Sequence, residues 1–344
     1  MRLTTAFLRR PSRAVPRRSP VRSLALRARR AVLLFPPAFV LVLFGVWAAA
    51  EAVVPEITDT DYFIRLRVVK ATAAEHPDRQ LGVVIGSSRV LHGFQPECMP
   101  DDPNGPIWVS AAHMGAGPAL TRLILHNLLR DGVRPAAVVI ELMPTFFTRE
   151  NEGFVSGHFA LADLPLVHNY SDTPFGYEYH FLRHRFKRIG DLTRVGDPFA
   201  GQEVPLPRGG RSSIRTEISS EEHARYMASA GAANEIVKHT AVRPSADRAF
   251  RDTLREAAEH GIPVVLLLMP EGPVFRSWYD QVGLRAFDEY VARVAGEFGT
   301  PVIDARLWLN DESDFYDSHH LLKGGGAKFT ARFARELSSA LAGR

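Results

Sequence analysis

Two short segments at opposite ends of the chain hold residue types suited to nucleophilic chemistry. Gly86-Ser87-Ser88-Arg89 closes the apolar run LGVVIG, and Asp314-Phe315-Tyr316-Asp317-Ser318-His319-His320 precedes the last amphipathic stretch. A serine at a strand-to-helix turn is held out of the sheet, its own N–H directed to the same space as its hydroxyl, near the positive end of a helix. An Asp-x-x-His step lets the carboxylate orient one imidazole nitrogen while the other faces a hydroxyl. Ser88, His320 and Asp317 then read as nucleophile, general base and orienter. Plainer readings stand beside these. Ser88 is also a favoured N-cap residue, Ser87 is the alternative nucleophile, and His319 can exchange roles with His320 or line the substrate entrance. Asp314, Asp317, His319 and His320 make a mixed carboxylate–imidazole set of the kind metals accept. With no second ligand cluster elsewhere, the reading assigns no metal and no cofactor. His92, His113, His126 and Cys98 read as structural.

Such side chains need a rigid frame, and the apolar pattern supplies one. Residues 81–86, 107–112, 136–142, 262–270 and 301–305 are short apolar runs, each the length of a strand buried on both faces. Amphipathic stretches at 120–129, 246–260, 278–298 and 326–341 alternate with them. That alternation predicts an α/β domain, a parallel sheet with helices on both faces and ligands at the carboxyl ends of the strands. Three charged residues fall at such ends: Arg89, suited to an anionic substrate group or a carboxylate partner; Glu141, a buried acceptor or a substrate contact; and Asp304, expected to fix the loop to His320. Residues 145–245 exceed what five strands need and read as an insertion bordering the site. It includes the turn-rich loop 196–213 and the basic, aromatic stretch HFLRHRFKR (180–188), a solvated helix face or a contact for anionic glycan or lipid headgroups.

The 344 residues are 46% hydrophobic and 23% charged, a globular composition. A single cysteine excludes an internal disulfide framework. Ten of the 42 basic residues lie in the acid-free stretch 1–30, leaving 32 against 38 acidic residues in the rest, a net of −6. The basicity therefore belongs to a tail, and no nucleic-acid partner is expected. Residues 31–50 are uncharged and long enough to cross a bilayer. Arginines before the span and Glu51 and Glu56 after it place the tail in the cytoplasm and the remainder on the exported side. The predicted organisation is a tail (1–30), an anchor (31–50), a stalk (51–78) and a domain (79–344). Cleavage after Ala48-Ala49-Ala50, or use of the leader as a transit peptide, are the rival readings.

The two chemical segments together resemble the SGNH (GDSL-like) hydrolases over roughly 79–140 and 260–344. Gly86-Ser87-Ser88 is similar to the family's Gly-Asp-Ser, and Asp317-Ser318-His319-His320 to its Asp-x-x-His. The Gly-Ser-Ser form looks most like the membrane-anchored envelope branch, which includes proteins similar to DltD and to the alginate O-acetylation proteins. The resemblance implies a three-layer, flavodoxin-like α/β/α fold and a Ser88–His320–Asp317 triad. Oxyanion donors would be the Ser88 N–H and a glycine of AAHMGAGP, Gly115 or Gly117. It also implies a serine esterase or O-acyltransferase acting on an acylated envelope glycan or similar ester, with a membrane acyltransferase as possible partner. Two departures mark the chain: Ser87 replaces the motif aspartate, and Glu141-Leu142-Met143-Pro144 stands where Gly-x-Asn-Asp is expected. The lost asparagine removes an oxyanion donor, a change worth roughly 10²–10³ in rate. A catalytically weakened scaffold that binds glycan or a membrane partner is therefore the alternative.

Overall fold

The computed structural model describes residues 20–103, 105–149, 151–197, 216–232 and 237–343. It divides into two compact units, with the boundary between Ala49 and Ala50. The helix Pro20–Val53 crosses that boundary and contains Leu24–Val53, a stretch long and apolar enough to cross a bilayer. Pro36 and Pro37 lie within this helix rather than ending it. Residues 1–19 of the basic tail lie outside the described residues.

The second unit is built on a five-stranded, all-parallel sheet in the order β2-β1-β3-β4-β5. The strands are β1 Leu81–Ile85, β2 Ile107–Ser110, β3 Ala137–Leu142, β4 Val264–Leu268 and β5 Val302–Asp304. All five expected strands form, and the predicted α/β class holds. β1, β3 and β4 are buried along their whole length, which is why their sequences show no polar alternation. Val84, Val139, Val265, Leu267 and Ile303 pack on one side with Phe94 and with Phe329, Phe333 and Leu337 of the last helix, Lys323–Ala342. Full burial of each such side chain contributes about 1.5–3 kcal/mol. The helices Pro118–Arg130 and Pro244–Glu259 pack on each other. The order reverses between β1 and β3, so their carboxyl ends border the crevice where ligands of such sheets bind.

Local signals set the helix boundaries. The Asp280 carboxylate accepts from the N–H groups of Val282 and Gly283 at 3.1 and 3.0 Å, and Gly299 ends that helix in the left-handed region. Asp59 caps the helix Thr60–Glu75 in the same way.

That last helix corrects an expectation. Residues 51–78 form no free stalk: Ile57, Tyr62, Leu66 and Val69 are buried, and the Tyr62 hydroxyl donates to Asp131 at 2.6 Å. The apolar face that buries them is short and interrupted, hence its weak sequence signal. The insertion is equally integral where described, since Phe147, Phe159, Tyr177 and Phe181 are buried. Beyond Asp197 the loop 196–213 lies outside the described residues.

Gly82 of β1 stands opposite Trp108 of β2, whose indole covers it; an added Cβ would come within 2.5 Å of the ring. Gly82→Ala is expected to lower the unfolding free energy by about 1–3 kcal/mol through overpacking, read as a smaller denaturant midpoint.

Candidate active site

β1 ends at Ile85, and the chain turns through Gly86 and Ser87 into the short helix Ser88–Gly93. Ser87, fully buried, is the N-cap: its hydroxyl accepts the Arg89 N–H at 3.2 Å. The capping role considered for Ser88 thus belongs to its neighbour. Ser88 is the first helical residue, so its N–H has no intrahelical acceptor. Gly86 admits no side chain, because a Cβ would meet Val90 at 2.5 Å and the Glu141 carboxylate at 2.6 Å.

The far terminus delivers the partner. His320 Nε2 lies 2.7 Å from Ser88 Oγ, and His320 Nδ1 lies 2.7 Å from Asp317 Oδ2. A carboxylate can only accept, so Nδ1 carries the proton and Nε2 is left to accept from the serine hydroxyl. The other Asp317 oxygen accepts the backbone N–H groups of His319 and His320 at 3.2 and 2.8 Å. Burial pushes the Asp317 carboxyl up, but the His320 side-chain bond, the two histidines and the His320 amide more than reverse that, holding it at about 2. It is therefore a charged orienter at neutral pH.

Several contacts fix the histidine loop, and none is evident from residue type. Ser318 is a non-glycine residue in the left-handed region, φ 66°. Its hydroxyl accepts from the Phe275 N–H and donates to Glu312, each at 2.9 Å, and its carbonyl accepts from the Gly272 N–H at 2.6 Å. The strained turn is thereby tied to the loop after β4. Tyr316 stacks on His320, ring centroids 5.1 Å apart and planes 7° from parallel. His319 stacks on Phe275 and sits 4.1 Å from the His320 ring. Burial, with the neighbouring His320 imidazole, lowers the His319 imidazole to about 3 and keeps it neutral.

The donor atoms of Asp317, His319 and His320 lie within 4.8 Å of one another, a spacing a cation could use. Those on Asp317 and the Nδ1 of His320 already bond each other. Asp314 points away, to Lys328 at 2.7 Å.

Arg89 and Glu141 are corrected as substrate contacts. Arg89 is 1% exposed, between Glu141 (3.7 Å) and Glu271 (3.4 Å), and donates to the carbonyls of Met269 and Pro270 at 2.9 Å. Glu141, also buried, accepts the Ser87 N–H at 2.6 Å. The pair brackets the serine turn from below because an isolated buried charge is too costly to keep. Asp304 is corrected too: it pairs with Arg306 at 2.6 Å rather than with the histidine loop. Glu271, which the sequence did not single out, is buried, and burial raises its carboxyl although Arg89 and the Tyr279 hydroxyl face it.

Gly115 makes the turn after β2 in the left-handed region, φ 62°, whereas Gly117 is the N-cap of the next helix. The His113 N–H donates to the Gly86 carbonyl at 2.8 Å, tying this loop to the serine turn. Beneath the loop lies a buried group that sequence reading missed. Asp59 sits 3.1 Å from His158 and 3.9 Å from His113. Burial pushes Asp59 up and His158 down, but their mutual attraction prevails, leaving the carboxyl low and the imidazole high. Burial holds His113 at about 3.

The model of an uncharacterised protein family matches residues 213–342, a span that includes Asp317 and His320 but not Ser88. No curated protein matches the chain.

Glu141→Ala leaves Arg89 with one carboxylate fewer and is expected to cost about 3–5 kcal/mol in denaturant unfolding; Glu141→Gln, which keeps an acceptor for Ser87, costs less. For pH, an unfolded histidine takes a proton below about 6.5, while folded His113 takes one only near 3. His113 therefore subtracts stability as pH falls from about 6.5, by about 1.4 kcal/mol per pH unit. His113→Asn, which keeps a donor for the Ala111 carbonyl, should flatten the slope between pH 6 and 4.5 by about that amount.

Proposed function

We propose that the chain is a serine esterase or O-acyltransferase of the SGNH type, anchored in a membrane by its amino-terminal helix, with the catalytic unit on the exported side. One observation carries the reading: Ser88 Oγ, His320 and Asp317 form a continuous pair of 2.7 Å contacts. The strand order 2-1-3-4-5 supports the flavodoxin-like architecture that the resemblance implies. The candidate span Leu24–Val53 supports the anchor, and the arginines before it support a cytoplasmic amino terminus.

His320 Nε2 takes the Ser88 proton as Oγ attacks the ester carbonyl carbon. The carbonyl oxygen gains the negative charge, and the Ser88 and Gly115 N–H groups are its donors. Collapse of the adduct breaks the ester C–O bond, and the leaving alkoxide takes the proton from His320. Water or a sugar hydroxyl then gives its proton to His320 and attacks the acyl-serine, freeing Ser88. Hydrolysis and transfer differ only in that second nucleophile. The substrate class is an acylated envelope glycan or a similar ester, and a membrane acyltransferase would supply acyl groups in the transfer mode.

Glu141 favours the alternative of a weakened, glycan-binding scaffold. It is the penultimate residue of β3 and opens the segment that stands in place of the asparagine motif, and its carboxylate accepts the Ser87 N–H rather than donating to an oxyanion.

Full-length protein in detergent, treated with a fluorophosphonate and weighed intact, separates the readings. One adduct is expected on the wild type and on a folded Ser87→Ala variant, and none on Ser88→Ala. His320→Ala should slow labelling by about 10²–10⁴. A folded wild type that takes no adduct, or a Ser88→Ala variant that still does, overturns the enzyme.

A further inference from the structure

The helix Gly176–Lys187 of the insertion wears its apolar residues on both sides. Tyr177, Phe181 and Arg185 are buried, as a docked helix requires. Along the outside run Phe175 (69% exposed), Tyr179 (61%), Leu182 (36%), Phe186 (41%) and Ile189 (45%). Within the helix the spacing i, i+3, i+7 puts Tyr179, Leu182 and Phe186 within an arc of about 60° at 100° per residue, with Phe175 at its N-cap and Ile189 just past its end. Exposed Arg183 and Lys187 follow Leu182 and Phe186 and flank the stripe on one side. An aromatic and aliphatic stripe beside cationic side chains is the pattern of a helix lying in a bilayer interface.

What covers the stripe is indicated by where the helix is pinned. Arg185 donates to Glu51 at 2.5 Å, and a second Glu51 oxygen accepts the Leu161 N–H at 3.0 Å. Arg188 donates to the carbonyls of Ile57 and Thr58 at 3.0 and 3.1 Å. Glu51 lies in the last turn of the helix that carries the apolar span. Whatever the direction in which that span departs, its end is covalently at Glu51, so a bilayer crossed by it begins within a few residues of the docking point.

We propose that Phe175, Tyr179, Leu182, Phe186 and Ile189 form a membrane-contacting face that rests in the lipid interface, with Arg183 and Lys187 against anionic headgroups. Such a face settles about 5–10 Å into the headgroup–acyl boundary. It would restrain the unit that carries Ser88 at the bilayer surface. The proposal is independent of the chemistry assigned to Ser88.

The test uses full-length protein in a Cys98→Ser background, in vesicles of phosphatidylcholine with a minority of phosphatidylglycerol. A water-sensitive fluorophore is attached at Leu182→Cys, at Tyr179→Cys, or at Glu259→Cys, an exposed site before β4 and so at the amino-terminal end of the strands. Doxyl-labelled lipid is expected to quench the probes at 182 and 179 several-fold more than that at 259, and iodide to do the reverse. Equal quenching at all three sites would overturn the proposal. So would probes at 182 and 179 shielded from both quenchers, which would mean that protein covers the face. Arg183→Glu with Lys187→Glu should lower doxyl quenching at 182 in these vesicles and leave it unchanged in pure phosphatidylcholine; no change in either would refute the headgroup contact.

Discussion

A guanidinium buried beneath the serine turn constrains the whole carboxyl edge of the sheet. Arg89 cannot lie out of water without compensation, and its partners come from two separate strand ends: Glu141 at the end of β3, and Glu271 with the carbonyls of Met269 and Pro270 after β4. Because Glu141 also takes the Ser87 N–H, the same charge network holds the cap residue that orients Ser88. Gly86 is needed where the backbone passes the Glu141 carboxylate. The position of one hydroxyl thus rests on long-range electrostatics rather than on the serine turn alone.

The opposite side of the site is held by a different device. The histidine loop is short, and its turn at Ser318 is disfavoured for a residue with a Cβ. Hydrogen bonds to Phe275, Glu312 and Gly272 offset that strain. The result is a charged Asp317 that receives three donors and a His320 ring clasped by Tyr316 and His319. An imidazole so held loses little orientational freedom when it accepts a proton, the preorganisation that general-base chemistry needs.

Segments distant in sequence from the serine and histidine turns carry structural weight. Asp59 caps a helix and also meets His158 of the insertion and His113 of the loop after β2. Glu51 receives Arg185 and the backbone of Leu161. Through these contacts the residues just past the apolar span are joined to the insertion and, by His113, to the loop bearing Gly115. The insertion therefore braces the loops around Ser88 and presents the apolar stripe outward.

The sequence by itself determined the five strands, the principal helices, the apolar span and the residue types of the serine and histidine segments. Those features depend on local periodicity, burial on both faces and turn chemistry, all expressed within a few consecutive residues. Only the tertiary structure decided that Ser87 caps while Ser88 faces His320, because adjacent serines at one turn are distinguished by where a partner 232 residues away arrives. It likewise turned Arg89 and Glu141 from substrate contacts into a buried pair, paired Asp304 with Arg306, and drew 51–78 into the domain. Charged residues at strand ends carry no local mark of whether they will face solvent or one another. That outcome depends on burial and on partners from distant strands, which exist only once the sheet has closed.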